Sequence, residues 1–292
     1  MLGIVGVTTA ACRPARQEPA AAAPAAALPA PRRIVSMAPN LTETSYALGL
    51  GGRVVGVDDF SVWPAEVAGK ARLGGLFNPN LERIVAVRPD LALLLPSERD
   101  VAAKLERLGI ATLIVPSETL ADIERSFSLI ARRCGVAAAG ESLARRWRAE
   151  LASRPLRGSP RVMLCLARQA GRLSGLLAAG PGTFLDDLLR RLGAVNAFAD
   201  APSAYPQVGL EEVAARAPDA IVELTSAPLS AAEAAALVGD WRQLPSVPAV
   251  RNGRISVIAG DFVTIPGPRL PLLYRRLREA LSAPPPPAGE VR

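Results

Sequence analysis

Two adjacent carboxylate pairs, Asp186-Asp187 and Glu211-Glu212, three cysteines and a glycine-rich run from Gly171 to Leu185 are the features of this sequence that could do chemistry. None of them has a partner in histidine, because the 292 residues contain no histidine at all. Imidazole is the commonest general base and metal ligand near neutral pH, so Ser-His-Asp and Cys-His nucleophiles are excluded. Zinc sites built on imidazole go with them, and Cys12, Cys134 and Cys165 are too scattered to substitute. Neighbouring residues on a helix point in different directions, which makes each carboxylate pair a poor acid–base couple. The glycine run lacks Gly-Lys-Ser/Thr and shows no dinucleotide-binding spacing after a strand. It reads as a cleft loop leading into a helix near Thr183, whose first amides are free to donate to a ligand carbonyl or phosphate. Cys134 and Cys165 sit in helix-like and strand-like contexts. Their spacing leaves pairing open, with buried free thiols as the expectation. Neither catalysis nor a cofactor or metal is expected, which leaves binding.

The charge does not identify the ligand as nucleic acid. A formal charge of +7 and a pI near 10.1 come almost wholly from arginine, since Lys70 and Lys104 are the only lysines. The arginines fall in helix-like segments such as Arg132-Arg133, Arg145-Arg146 and Arg190-Arg191, each followed by apolar positions, as on solvated helix faces. Aromatic residues are 4% of the chain, and no basic run is interleaved with them for stacking on bases.

Met1 to Ala11 is small and apolar, ends in Thr9-Ala10-Ala11-Cys12, and gives way to an Ala/Pro-rich tract. This pattern is similar to a lipoprotein signal, in which Cys12 is lipidated and becomes the first mature residue. On that reading residues 1–12 are the signal, 13–32 a flexible tether, and the protein an extracytoplasmic lipoprotein held at the membrane by its lipid. Beyond the signal no apolar run reaches the roughly 20 residues that a spanning helix needs.

Hydrophobic periodicity then alternates strand and helix. Strands are expected at Arg33–Met37, Val54–Val57, Asp90–Leu95 and Ala111–Val115, with helices ending at Leu48 (capped by Asn40 or Thr42), over Leu81–Val87 and over Val101–Leu108. Such alternation builds a parallel sheet with crossover helices. Leu120 to Arg154 carries only helical periodicity, divided by Gly135 and Gly140, and Glu141–Leu151 is expected to be rigid. Alternation resumes with strands at Arg161–Leu166, Ala220–Leu224 and Arg254–Ile258, and helices at Gly182–Leu192, Glu211–Ala217, Ser230–Leu237 and Leu270–Leu281. The expected organisation is an α/β lobe over 33–118, a helical spine over 119–155, a second α/β lobe over 156–283 and a tail over 284–292.

Three stretches in this order resemble a known family. Ile34-Val35-Ser36-Met37-Ala38-Pro39-Asn40-Leu41-Thr42-Glu43, Asn80 through Leu91, and Tyr205-Pro206-Gln207-Val208-Gly209-Leu210-Glu211-Glu212 with Ala217 through Ile221 are similar to the signatures of periplasmic binding proteins with a helical backbone. That family serves cobalamin, siderophore and haem importers. The resemblance spans about Arg33 to Leu281 and implies the class III fold, in which two Rossmann-like lobes are joined by a long rigid helix. The aromatic-Pro-Gln-Val run is most similar to the cobalamin-binding branch. It implies that Pro39, Asn40, Phe60, Leu76, Phe77, Tyr205, Asp261 and Phe262 line the cleft. Two positions depart from the best-known member of that branch: this chain has Leu76 where that member has a Trp, and Ile265 where it has an Arg.

The resemblance further implies a monomer that delivers its small molecule to an ABC permease dimer with ATPase subunits. Glu82 and Glu211, each in the first turn of a helix, are the implied permease-docking residues. Cobalamin or a related corrinoid is the implied cargo. An iron-siderophore, with Arg168 and Arg172 as candidate cleft cations, or haem, with Tyr46, Tyr205 or Tyr274 as axial ligand, is the alternative. An enzyme on the same two-lobed plan is a minor third.

Overall fold

The computed structural model describes residues 29–169 and 171–282. The expected signal, Cys12, most of the tether and the 284–292 tail lie outside the described residues. Chain order in the first lobe is β1 (Ile34–Ser36), α1 (Pro39–Ala47), β2 (Val54–Val57), β3 (Ala71–Arg72), β4 (Gly74–Gly75), β5 (Asn78–Pro79), α2 (Leu81–Ala86), β6 (Leu91–Leu94), α3 (Arg99–Arg107) and β7 (Ala111–Ile114). The main sheet runs β3-β2-β1-β6-β7 and is wholly parallel. Its two central strands are apolar or small at every position, and both are fully buried, as strands covered by helices on both faces must be. Strand order reverses between β1 and β6, and an open sheet leaves a crevice beyond its carboxyl ends at that switch.

The helical segment is a pair of 14-residue helices, α4 (Leu120–Arg133) and α5 (Ala137–Glu150). Thr119 and Asp122 form a reciprocal capping box at the start of α4, which satisfies two orphan amides. Gly135 ends the turn between the helices at φ +74°, a conformation that glycine adopts without strain. Gly140, expected to divide the segment, lies inside α5 instead. A Cβ there would sit 2.5 Å from the Ala131 Cβ and 3.0 Å from the Phe127 carbonyl oxygen, so glycine lets the two helices close on each other. Phe127 and Trp147 then meet edge to face at 5.6 Å, a favoured aromatic geometry.

The second lobe contains β8 (Arg161–Ala167), β9 (Leu176–Ala178), α6 (Phe184–Leu192), β10 (Val195–Asn196), β11 (Gln207–Val208), α7 (Leu210–Arg216), β12 (Ala220–Thr225), α8 (Ala231–Asp240), α9 (Pro248–Arg251), β13 (Ile255–Ala259) and α10 (Leu270–Ser282). Its sheet runs β11-β9-β8-β12-β13, with β10 also beside β8. β8, β10, β12 and β13 are parallel, and β9 and β11 turn antiparallel. One apolar cluster passes from Ile34 and Leu41 through Phe127 and Trp147 to Leu185 and Leu273. The two lobes and the helix pair therefore share a core.

Candidate functional site

The strand ends of the first lobe converge on a cleft of about 460 Å³. Met37, Ala38, Pro39 and Asn40 follow β1, Asp58 and Phe60 follow β2, Leu95 follows β6, and Ser117 and Glu118 follow β7. Leu76 and Phe77 are the tip of the β4–β5 hairpin. Gly74 makes that hairpin possible, because at φ +92° a Cβ would fall 2.4 Å from the Asn78 carbonyl oxygen. The tip leaves Phe77 95% exposed. The facing wall comes from the second lobe: Phe184 opening α6, Tyr205 ahead of β11, and Thr264, Ile265 and Pro266 beyond β13.

Local chemistry fixes each wall. Pro39 occupies the first turn of α1, a position where its missing amide costs nothing. Neither Asn40 nor Thr42 caps the helix, because Ala38 is the N-cap and receives no side-chain bond. Thr42 instead enters a buried polar thread: its Oγ1 lies 2.9 Å from the Ser36 Oγ and 2.8 Å from the Ser61 Oγ. Ser61 in turn donates to the Asp58 carboxylate, whose second oxygen accepts the Phe60 amide at 2.9 Å. The thread aims the Phe60 backbone at the cleft. Burial pushes the Asp58 carboxyl above its usual range, against the pull of Ser61 and Phe60.

Glu98 lies behind this wall, 2% exposed. One of its oxygens accepts the Leu95 amide at 2.8 Å, and the other is buried without a partner. Burial raises its carboxyl to about 7. Across the cleft, the Ala204 and Pro206 carbonyls accept the Gly180 and Ala178 amides, which pins the backbone on both sides of Tyr205. Desolvation, with the Glu118 carboxylate adding to it, pushes the Tyr205 phenol up to about 12.

The structure thus brings Pro39, Asn40, Phe60, Leu76, Phe77 and Tyr205 together around one cleft. Asp261 and Phe262 are not among the lining residues. Arg269 donates to the Asp261 carboxylate at 2.8 Å, and Phe262 packs on Gly260 and the shared core. Asp58, Ser117, Glu118 and the 264–266 segment were not anticipated as cleft residues, apart from Ile265 as a departure. The first residues after each expected strand are the signal that would have found most of them.

The sequence profile of the family described as periplasmic binding protein matches residues 34–261. The chain belongs to that family. Among relatives, this periplasmic binding protein is 27% identical over 240 residues to the vitamin B12-binding protein of Vibrio parahaemolyticus, an alignment covering 81% of this chain and 84% of the relative. Among solved structures, the periplasmic vitamin B12 binding protein of Vibrio cholerae superposes with a TM-score of 0.69 at 25% identity, covering 86% of this chain and 96% of that one. A periplasmic haem binding protein from Pseudomonas aeruginosa superposes with a TM-score of 0.71 at 28% identity, covering 88% and 95%.

The candidate residues for iron-containing cargo are mostly elsewhere in this binding protein. Arg168 is bonded to Glu223 at 3.0 Å and to Asp240 at 2.9 Å, with 4% of its side chain exposed, and neither it nor Arg172 lines the cleft. Tyr274 is buried with its hydroxyl 2.5 Å from the Ser153 Oγ, and Tyr46 has a buried hydroxyl with no partner. Tyr205 alone of the three tyrosines reaches the cleft. Cys134 and Cys165 are free and buried, with burial raising their thiols to about 11 and about 12. Glu82 and Glu211 are exposed in the first turns of α2 and α7. Among the described residues no helix is long and apolar enough to cross a membrane.

Proposed function

We propose that this periplasmic binding protein captures cobalamin or a related corrinoid between its lobes and hands it to the permease dimer of an ABC importer. The observation that carries the reading is the cleft lining. Phe60, Phe77, Phe184 and Tyr205 supply aromatic faces, Leu76, Leu95 and Ile265 supply aliphatic ones, and among the described residues none that lines the cleft is cationic. A corrinoid is a broad, largely apolar ring rimmed by neutral amides, so it needs apolar contact area and a few polar groups to set its orientation. Asn40, Ser117 and Thr264 are suited to those amides. A ferric siderophore or the carboxylates of haem would call for cations, and Arg168 is already paired with Glu223 and Asp240. A tyrosine ligand to haem iron binds as phenolate, and the raised Tyr205 pKa opposes that form. The names of the relatives support the corrinoid reading, while the likeness to the haem binding protein makes haem the competitor to test.

Delivery belongs to the same reading. Glu82 and Glu211 occupy matching positions on the two lobes, where exposed acids would meet permease arginines and fix register without touching the cargo. The protein acts as a monomer, anchored through lipid at Cys12 and partnered by the permease and its ATPase subunits. Titrating the protein with cyanocobalamin is expected to give one-to-one binding by calorimetry and a shifted corrinoid absorption band. No heat with cyanocobalamin, together with stoichiometric binding of haem or a ferric siderophore, would overturn the corrinoid assignment.

A further inference from the structure

The 264–269 segment ties the two lobes together around the cleft. Arg269, on the second lobe, donates to Glu43 of α1 at 2.5 Å and to Asp261 of its own lobe at 2.8 Å. Its guanidinium carbon also lies 4.9 Å from the centroid of the Trp63 ring, close enough for cation–π attraction. Glu43 is three residues past Asn40, Trp63 is three past Phe60, and Arg269 is three past Pro266. The Glu43 and Trp63 contacts therefore both join residues lying three positions past cleft-lining ones. The segment is held a third time by α5, where the Trp147 indole donates to the Gly267 carbonyl at 3.3 Å. The approach is close: a Cβ on Gly267 would lie 3.6 Å from the Asn40 Cα and from a Glu43 carboxylate oxygen.

We propose that Arg269 is a positioning residue, an interlobe strut that fixes the width of the cleft and thereby its selectivity for the size of the ligand. A buried ion pair is a weak source of stability compared with apolar packing, and this one joins the two walls. The Glu43 carboxylate is 2% exposed and Arg269 15% exposed, so water competes little for the bond. Asp261, 44% exposed, braces the guanidinium from the solvent side. Desolvation works against the Arg269 cation, but its bonds to the two carboxylates outweigh it and keep the group charged.

The selectivity half of this inference rests on the corrinoid reading, and the geometric half does not. The test therefore measures both. Substituting arginine alone would strand a buried Glu43, so the variants are D261N, which removes the exposed brace, and E43Q/R269Q, which removes both buried charges together. Spin labels on A103C in α3 and A236C in α8, in the protein carrying C12S, report the interlobe distance without ligand; Cys134 and Cys165 are buried. Both variants are expected to broaden that distance distribution. If the binding-competent width falls to about a tenth of the population, the cyanocobalamin dissociation constant rises about tenfold. The preference for cyanocobalamin over dicyanocobinamide, which lacks the nucleotide arm, shrinks with it. Folded variants that keep both the wild-type distance distribution and the wild-type ratio of affinities would overturn the strut, with D261N deciding if the double variant does not fold. Wild-type protein that binds neither corrinoid would overturn the functional reading, leaving the distances to judge Arg269.

Discussion

Glu98 shows how a single residue behind a binding surface makes the fold sensitive to pH. Its ordinary value is 4.5 and burial carries it to about 7, so the native state holds this proton more tightly than the unfolded chain does. For an acid shifted in this direction, the contribution to stability is fully present below about pH 4.5 and is lost as pH rises to about 7. Glu98→Gln mimics the protonated acid at every pH. Relative to wild type, the variant is expected to gain roughly 2 kcal/mol between about pH 5 and pH 8. Urea unfolding at the two pH values checks this, and parallel pH dependence in the two proteins would rule out Glu98 as the titrating group. Asp58, also raised by burial, works in the same direction from inside the lining.

At the scale of elements, α2 and α7 present Glu82 and Glu211 on matching helices of the two lobes. Their interaction with each helix dipole is worth only about 0.3–1 kcal/mol. Replacing both by alanine is therefore expected to preserve folding and corrinoid binding while lowering transporter-dependent uptake and ATPase stimulation. Wild-type uptake by a stably expressed double variant would exclude the docking role, and loss of ligand binding would count against a role confined to docking. The elements that were legible in the sequence are those with an internal pattern. Leu91–Leu94 is an unbroken apolar run, and α10 buries Leu270, Leu273, Tyr274, Leu277 and Leu281 at helical spacing. The β4–β5 hairpin and the short β9 and β11 were missed, because strands of two or three residues are defined by their partners and show no period of their own. The cleft followed the same division. Pro39, Phe60 and Tyr205 were placed through motifs, whereas nothing near Ser117 or Thr264 reveals which loops face each other after folding. Asp261 enters the expected cleft through the resemblance alone, and no local pattern shows its bond to Arg269, eight positions downstream.

For the whole molecule, the packing of the helix pair predicts a stiff connection between the lobes. The lobes share one apolar core through Phe127 and Trp147, and α4 and α5 pack so closely that Gly140 has no room for a side chain. Neither helix contains proline, the usual cause of a sharp bend. Ligand addition is expected to shift the lobes slightly, leaving the radius of gyration in solution scattering nearly unchanged. A wide rotation on binding would contradict the spine. One further consequence follows from where the indoles lie. Trp147 and Trp241 are 2% and 0% exposed, while Trp63 is 37% exposed and rests against Arg269 near the cleft. Two of the three tryptophans therefore emit from a dry interior and the third from the watered edge of the binding surface. The red side of the intrinsic fluorescence is therefore expected to come mainly from Trp63, an unlabelled optical reporter of the Arg269 contact.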